Sequence, residues 1–266
     1  MSPGGTVKRV VVTGAGGGIG AALARRFAGA GAEVIVSDID PDAARAVASD
    51  IGGLAVPGDA ADEQDTRRLV ETAWAELGGL DLFCSNAGVL DAGDETVPDD
   101  VWGRDWAVNV MSHVYVTRAL LPRWLDQGRT AEEGPKRLLI TVSAAGLLTL
   151  LGSAPYAVTK HAALAYAEWL RATYAHRGLI VQALCPQGVR TDMLTRGGER
   201  GSASAALLAE GAIEPDQVAA TVASAIEGES FLILPHPEVA EYYQLRAADP
   251  DRWLGGMNKM QRAFES

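Results

Sequence analysis

The chain has 266 residues, 48% of them hydrophobic, with a formal net charge of −11 at pH 7 and a pI near 4.8. This length and apolar content suit one α/β domain, and the acidic balance argues against nucleic acid as a partner. No apolar stretch approaches the length that spans a bilayer, and residues 1–5 lack a secretory pattern, so we expect a cytoplasmic protein with no membrane partner.

Short apolar strands alternate with longer segments of helical period along the chain. Strands are predicted at 9–12, 33–36, 54–56, 80–83, 137–142, 180–184 and 231–234, and helices at 19–29, 40–50, 63–77, 99–126, 156–177 and 215–227. Strands that do not alternate apolar with polar residues are buried on both faces, so helices must cover both sides of a mostly parallel sheet. The sequence predicts one doubly wound α/β domain over 1–266, with seven strands in the order 3-2-1-4-5-6-7.

The first strand leads into a glycine-rich turn that opens the first helix. The turn contains Gly14, Gly18, Ile19 and Gly20. Such a turn brings backbone N–H groups and a helix N-terminus against a pyrophosphate, and glycine is required because a Cβ would block the approach. A flexible turn that binds no ligand is the alternative.

Asp38 follows the second predicted strand. There its carboxylate can accept hydrogen bonds from both adenosine ribose hydroxyls of NAD, whereas it would repel a 2′-phosphate. Neither the glycine turn nor Ile39 and Asp40 offer a compensating cation, so the sequence favours NAD(H) over NADP(H). The alternative role, capping the next helix, suits Asp40 better.

Tyr156 and Lys160 are one helical turn apart and share a face of the predicted helix. An ammonium group stabilises phenolate, so we expect Lys160 to lower the pKa of Tyr156 and to prepare it for proton transfer to or from an alcohol oxygen. Ser143 ends the preceding strand, where its hydroxyl can bind the same oxygen. The Tyr-x-x-x-Lys spacing alone is common on helix surfaces.

Over about residues 7–191 these motifs together resemble the short-chain dehydrogenase/reductase family. The resemblance implies a Rossmann-like fold with NAD as cofactor, an acid/base role for Tyr156, and a water held by Asn109 in a proton relay toward Lys160. The implied catalytic set is Asn109, Ser143, Tyr156 and Lys160. The implied cofactor-binding set is Gly14, Gly18, Ile19 and Gly20 for the pyrophosphate, Asp38 for the ribose, Asp59 and Ala60 for the adenine, Asn86, Ala87 and Gly88 behind the cofactor, Tyr156 and Lys160 beside the nicotinamide ribose, and Pro186, Gly188, Val189 and Thr191 for the carboxamide.

The chain departs from the family pattern at three places. Ser85 stands where the family usually has Asn, and Gln187 stands where it usually has Gly, which puts a long amide near the nicotinamide, where it can change how substrate enters. The segment 235–266 replaces a glycine-rich ending, and it either covers the pocket or a neighbouring subunit or packs on its own domain. Residues 195–212 form either a substrate lid or an ordinary solvated loop.

Several other residues are predicted to be structural. The four histidines show no metal-ligand spacing, so no metal is expected, and His161 points to another helix face than Lys160. Trp102 and Trp106 are expected to pack. Cys84 and Cys185 lie on strands that are not neighbours, which predicts two buried thiols rather than a disulfide.

We therefore expect an NAD(H)-dependent oxidoreductase that interconverts a secondary alcohol and its ketone, as a homodimer or homotetramer. A lipophilic substrate is indicated by the leucines near the catalytic positions: Leu90, Leu147, Leu148, Leu150 and Leu151. Two alternatives remain open. One is an NAD(H)-sensing regulatory protein without turnover, and the other is a lyase or epimerase that uses the same pocket.

Overall fold

The computed structural model describes residues 7–126, 134–199, 208–209 and 211–265. Seven parallel strands form one sheet in the order β3-β2-β1-β4-β5-β6-β7. They are β1 Arg9–Thr13, β2 Glu33–Ser37, β3 Leu54–Ala55, β4 Leu82–Ser85, β5 Lys136–Thr141, β6 Leu179–Leu184 and β7 Leu232–Ile233. The predicted fold class and strand order are confirmed.

Helices cover both faces of the sheet. They are α1 Gly18–Gly29, α2 Pro41–Ile51, α3 Glu63–Leu77, α4 Asp99–Trp106, α5 Ser112–Asp126, α6 Ala145–Leu148, α7 Ala154–Tyr174, α8 Asp192–Glu199, α9 Pro215–Ala225, α10 Glu238–Ala248 and α11 Pro250–Phe264. Each face has its own apolar core: Val11 of β1 packs into one cluster, and Val10 and Val12 pack into the other. Burial on both faces explains why the strands are apolar throughout.

The long helix predicted over 99–126 is interrupted by a π-helical turn at Ala107–Met111, between α4 and α5. Asn109 lies in this turn and its side chain is fully buried. A π turn adds one residue to a helical turn, and such turns occur frequently at functional sites. Apolar periodicity does not reveal one extra residue, so the sequence predicted an uninterrupted helix.

The fourth strand begins at Leu82 rather than at residue 80. Asp81, just before it, accepts hydrogen bonds from the backbone N–H groups of Lys8 and Arg9, and its carboxylate also pairs with the Arg9 guanidinium. This charged residue therefore fixes the amino-terminal edge of the sheet. Cys84 and Cys185 are buried free thiols, as predicted.

The C-terminal segment forms α10 and α11. Val239 of α10 is fully buried in the core, and Tyr243 and Trp253 pack against the same cluster. Arg246 donates hydrogen bonds to the Leu147 carbonyl and to His161 Nε2. These contacts favour the interpretation that this segment packs on its own domain, and they agree with a structural role for His161.

Three further expectations concern the surface of the domain. Much of the candidate lid at 195–212 lies outside the described residues, although α8 enters it. Within the described ranges, no helix is both long and apolar enough to cross a bilayer. Trp106 does not pack as expected, because about half of its surface is exposed.

Candidate active site

A cavity of about 780 Å³ opens at the carboxyl edge of the sheet, within the size range of small-molecule sites. It is lined by most of the residues that the sequence singled out: Gly14, Gly18, Ile19, Gly20, Asp38, Asn86, Ala87, Gly88, Ser143, Tyr156, Lys160, Pro186, Gly188, Val189 and Thr191. These residues come from the ends of β1, β2, β4, β5 and β6 and from α7. Parallel strands deliver their carboxyl ends to one edge, which explains why residues far apart in sequence meet there.

The glycine turn leaves no room for side chains at two of its positions. Gly14 has a left-handed φ of +60°, and a Cβ there would lie 2.8 Å from Ala87 Cα. A Cβ at Gly20 would overlap the Gly14 carbonyl oxygen. The helix α1 begins here with no side-chain cap at Gly17 and no acidic residue in its first turn. Its N-terminal N–H groups therefore provide an anion cradle at the cavity, which fits a pyrophosphate.

Asp38 is held in place by two backbone hydrogen bonds. Its Oδ2 accepts from the Gly16 N–H at 2.8 Å, and its Oδ1 accepts from the Asp40 N–H at 3.0 Å. Asp40, not Asp38, caps α2 by accepting from two N–H groups of the first turn. Each Asp38 oxygen keeps a further lone pair, so the carboxylate can also accept hydrogen bonds from ribose hydroxyls.

Asn86 ties the strand ends together beneath the cavity. Its Nδ2 donates to the carbonyl oxygens of Thr13 and Gly14, and its Oδ1 accepts from the Thr141 hydroxyl at 3.0 Å. One side chain thus links β1, β4 and β5. The position of the glycine turn relative to β5 depends on these bonds.

Ser143, Tyr156 and Lys160 also line the cavity. The Ser143 hydroxyl donates to the Pro186 carbonyl at 3.4 Å and accepts from the Ala145 N–H at 3.1 Å, and it is close enough to the phenol to lower the pKa of Tyr156. Lys160 Nζ donates to the Thr141 carbonyl at 3.1 Å and lies 5.5 Å from the centre of the Tyr156 ring. All three polar groups therefore face the cavity that also holds the anion cradle, where they can act on the oxygen of one substrate.

The expected lowering of the Tyr156 pKa is wrong. Burial raises the pKa of Tyr156 to about 12, against the lowering effect of the Ser143 hydrogen bond and with a further increase from Asp105. Burial also lowers the pKa of Lys160 to about 8. Sequence spacing predicted the lysine beside the phenol but not how completely the protein encloses both groups, and desolvation disfavours the charged form of each.

Asn109, Asp59 and Ala60 do not line the cavity. The Asn109 amide donates to the Val89 carbonyl and the Thr159 hydroxyl and accepts from the Val89 N–H, so it fastens the segment after β4 to α7. Asp59 accepts from the Ala61 N–H in a turn after β3. The water-holding role of Asn109 and the adenine contacts of Asp59 and Ala60 stay predictions.

Of the five leucines expected near the substrate, Leu90, Leu148 and Leu150 line the cavity. Leu147 lies instead in the core, and Leu151 is outside the cavity lining. Gln187 does line the cavity, and its N–H donates to His236 Nδ1 at 3.2 Å. Leu147 and Leu148 are neighbours on a short helix, so only one of the two can face the pocket.

The sequence reasoning missed two buried polar residues on the helix that carries Asn109. Asp105 precedes Asn109 by four residues, and His113 follows it by four. His113 Nδ1 is 2.7 Å from the hydroxyl of Ser85, the residue that departs from the family pattern. Their spacing, which places all three on one side of the helix, was the available signal.

Comparisons with known proteins agree with this architecture. A family model described as "short chain dehydrogenase" matches residues 8–200. The chain is 40% identical over 195 residues to 1-deoxy-11-beta-hydroxypentalenate dehydrogenase of Streptomyces exfoliatus, covering 70% of this chain and 69% of that protein. It is 28% identical over 226 residues to 3beta-hydroxysteroid dehydrogenase 2 of Eggerthella lenta, covering 80% and 85%.

Solved structures of similar fold include two with NAD or NADH bound. A short chain dehydrogenase/reductase from Burkholderia phymatum in complex with NAD superposes with a TM-score of 0.81 at 26% identity, over 92% of this chain and 94% of that one. A 3-ketoacyl-(acyl-carrier-protein) reductase from Brucella melitensis complexed with NADH has a TM-score of 0.74 at 28% identity, over 85% and 95%. Because the matched segment 8–200 holds the glycine turn, Asp38 and the Ser143, Tyr156 and Lys160 cluster, the chain belongs to the short chain dehydrogenase family.

Proposed function

We propose that this protein interconverts a secondary alcohol group and a ketone on a lipophilic small molecule, with NAD(H) as cofactor and Tyr156 as acid/base. The observation that carries the proposal is one cavity lined both by a proton-transfer group, the Tyr156 phenol, and by an anion cradle, the glycine turn at the start of α1. Relatives named as dehydrogenases of a hydroxypentalenate and of a hydroxysteroid support a reaction at a hydroxyl group. An NAD(H) sensor would need the cradle but not the buried phenol and ammonium.

The residues present fit NAD. The α1 N-terminus and the glycine turn would hold the pyrophosphate, Asp38 the adenosine ribose, and Lys160 the nicotinamide ribose. The segment containing Pro186, Gly188, Val189 and Thr191 would hold the carboxamide. When bound, NAD(H) supplies the carbon that accepts or returns a hydride.

Ser143 and Tyr156 would then orient the substrate and transfer its proton. The Ser143 hydroxyl, already fixed by the Ala145 N–H, binds the substrate oxygen. The Tyr156 phenol returns a proton to a ketone oxygen, or its phenolate takes one from an alcohol. Because the pKa of Tyr156 is raised, phenol is the prevailing form of this group in the protein alone, and alcohol oxidation is expected to accelerate as pH rises.

The apolar wall of the cavity favours a lipophilic substrate. Leu90, Leu148 and Leu150 lie on the same cavity as Tyr156, and apolar surface in a pocket contributes to affinity in proportion to the area that it buries. A panel of secondary alcohols that differ in apolar size, followed by NADH absorbance, is expected to show kcat/KM rising with size. If none of the alcohols, including cyclic ones, leads to NADH formation, the sensor, lyase and epimerase alternatives are favoured.

Asp38 is expected to set the choice of cofactor. Calorimetry should show NAD(H) binding at least about tenfold more tightly than NADP(H), a difference of about 1.4 kcal/mol, because the carboxylate accepts from ribose hydroxyls and repels a 2′-phosphate. Asp38→Asn should narrow this difference. Asp40→Asn is the matched control, since it removes a charge two residues away and leaves a good helix cap. Equal affinity of the wild type for both cofactors would contradict the assignment.

A homodimer or homotetramer is also proposed. Trp106 on α4 and Val158 and Trp169 on α7 each expose about half of their surface. Large apolar side chains on long helices are typical of surfaces that self-associate. Light scattering at micromolar concentration is expected to give a mass above that of the 27.9 kDa chain.

A further inference from the structure

Asp105 is a buried carboxylate that the proposed reaction does not use. It lies in the last turn of α4 with none of its surface exposed, and neither of its oxygens has a hydrogen-bond partner among the described residues. Its neighbour Arg104 is paired with Asp91 instead. A buried and unpaired carboxylate is costly to ionise, so its presence calls for a reason.

Asp105 lies on α4, which packs against α7, the helix that carries Lys160. One helical turn after Asp105, the Asn109 amide bonds to Thr159, the residue before Lys160. A Cβ at Gly88 would lie 3.2 Å from Asn109 Oδ1 and 3.3 Å from Lys160 Nζ, so both side chains border the same small space. Burial raises the pKa of Asp105 although the Arg104 and Lys160 cations both lower it, and the charge of Asp105 in turn raises the pKa of Lys160 and of Tyr156.

The other titratable groups near Lys160 carry no charge near neutral pH. Burial lowers the pKa of His113 on α5 to about 3, so its imidazole is neutral. Burial raises the pKa of Cys185, after β6, to about 12, and Tyr156 remains a phenol for the same reason. Among the described groups that act on Lys160, Asp105 is therefore the one that can hold a negative charge.

We propose that Asp105 is a positioning residue whose buried carboxylate keeps Lys160 in its ammonium form. It does not line the cavity, so it acts through its charge on the enclosed Lys160 and Tyr156 rather than by contact with the substrate. Burial raises the pKa of Asp105 to about 6 and lowers that of Lys160 to about 8, so both groups are charged between these values. Below that interval the carboxylate is neutral, and above it the amine is neutral. The effect of Asp105 on the charge of Lys160 does not depend on the proposed function, and only its consequence for catalysis rests on that function.

The charge of Lys160 can be measured directly, because the chain has four lysines, Lys8, Lys136, Lys160 and Lys259. In protein labelled with ¹³C at the lysine ε-carbon, NMR gives four signals, and Lys160→Arg identifies the one from Lys160. In the wild type we expect this signal to titrate near pH 8, with a smaller step near pH 6 as Asp105 ionises. Asp105→Asn should lower the Lys160 pKa by at least about one unit, a tenfold shift toward the neutral amine, and abolish the smaller step.

The matched control is Asp100→Asn, an exposed carboxylate on the same helix, which should leave the Lys160 titration unchanged. Circular dichroism checks that each variant is folded. If Asp105→Asn does not fold, the presence or absence of the step near pH 6 in the wild-type Lys160 signal tests the proposal. An unchanged Lys160 pKa in a folded Asp105→Asn protein, or the absence of that step, would overturn the proposal. In an active enzyme, the rise of alcohol oxidation with pH should also give way to a loss of kcat/KM at lower pH in Asp105→Asn than in the wild type, because the Lys160 amine becomes neutral sooner. The NMR titration does not require turnover, so it tests the effect of Asp105 on Lys160 even if the proposed function is wrong.

Discussion

Replacement of Tyr156 by Phe is expected to lower kcat for alcohol oxidation by at least about a hundredfold, the lower end of what a positioned proton-transfer group contributes. The substitution removes only the hydroxyl. The ring stays in its buried place, beside the Lys160 ammonium. The loss therefore falls on proton transfer rather than on packing, and NADH affinity measured by calorimetry should remain close to that of the wild type.

The control for this variant lies on the same helix. Tyr166→Phe removes the hydroxyl that hydrogen bonds to Thr117, away from the cavity, and it should retain nearly normal kcat. Both variants are compared on a secondary alcohol identified by NADH absorbance. A Tyr156→Phe enzyme that oxidises this alcohol at close to the normal rate would remove Tyr156 from the mechanism and favour the sensor, lyase or epimerase alternatives.

The sequence predicted the architecture of the cavity well because the relevant signals are local. Apolar strands, helical periods and glycine positions together predicted the sheet order, and that order brings Gly14, Asp38 and Ser143 to one edge. The cap of α2 was assigned to Asp40 from its place before a proline at the helix start. Each of these predictions depends on residues within a few positions of one another or on the general topology of parallel sheets.

The features that the sequence did not predict depend on burial and on contacts between distant elements. Spacing placed Lys160 beside Tyr156, yet the pKa of the phenol rises because the folded protein excludes water from it. The π turn around Asn109 and the buried charge of Asp105 likewise reflect the packing of α4 and of this turn against α7. Asp105 was not singled out from the sequence, and the fold shows that it is enclosed.

Replacement of Gly20 by Ala is expected to weaken NADH binding by at least about a hundredfold, or about 2.7 kcal/mol. A Cβ at this position would overlap the Gly14 carbonyl oxygen and lie 2.7 Å from Asn86 Nδ2. The first of these atoms is backbone, and the second is already committed to hydrogen bonds with Thr13 and Gly14. The clash is therefore relieved only by moving α1 away from the turn, which displaces the N–H groups proposed to bind the pyrophosphate.

Overpacking of this kind should also lower the free energy of unfolding by about 1–3 kcal/mol, so binding and stability must be measured separately. Calorimetry with NADH, at a temperature where circular dichroism shows the variant to be folded, isolates the loss of binding. Gly29→Ala is the matched control: it lies at the exposed end of the same helix, and a Cβ there meets nothing within 4 Å. Near-normal NADH affinity in a folded Gly20→Ala protein would show that the α1 N-terminus does not hold the cofactor. The clash must change how α1 meets the glycine turn, regardless of the other contacts that the cofactor makes.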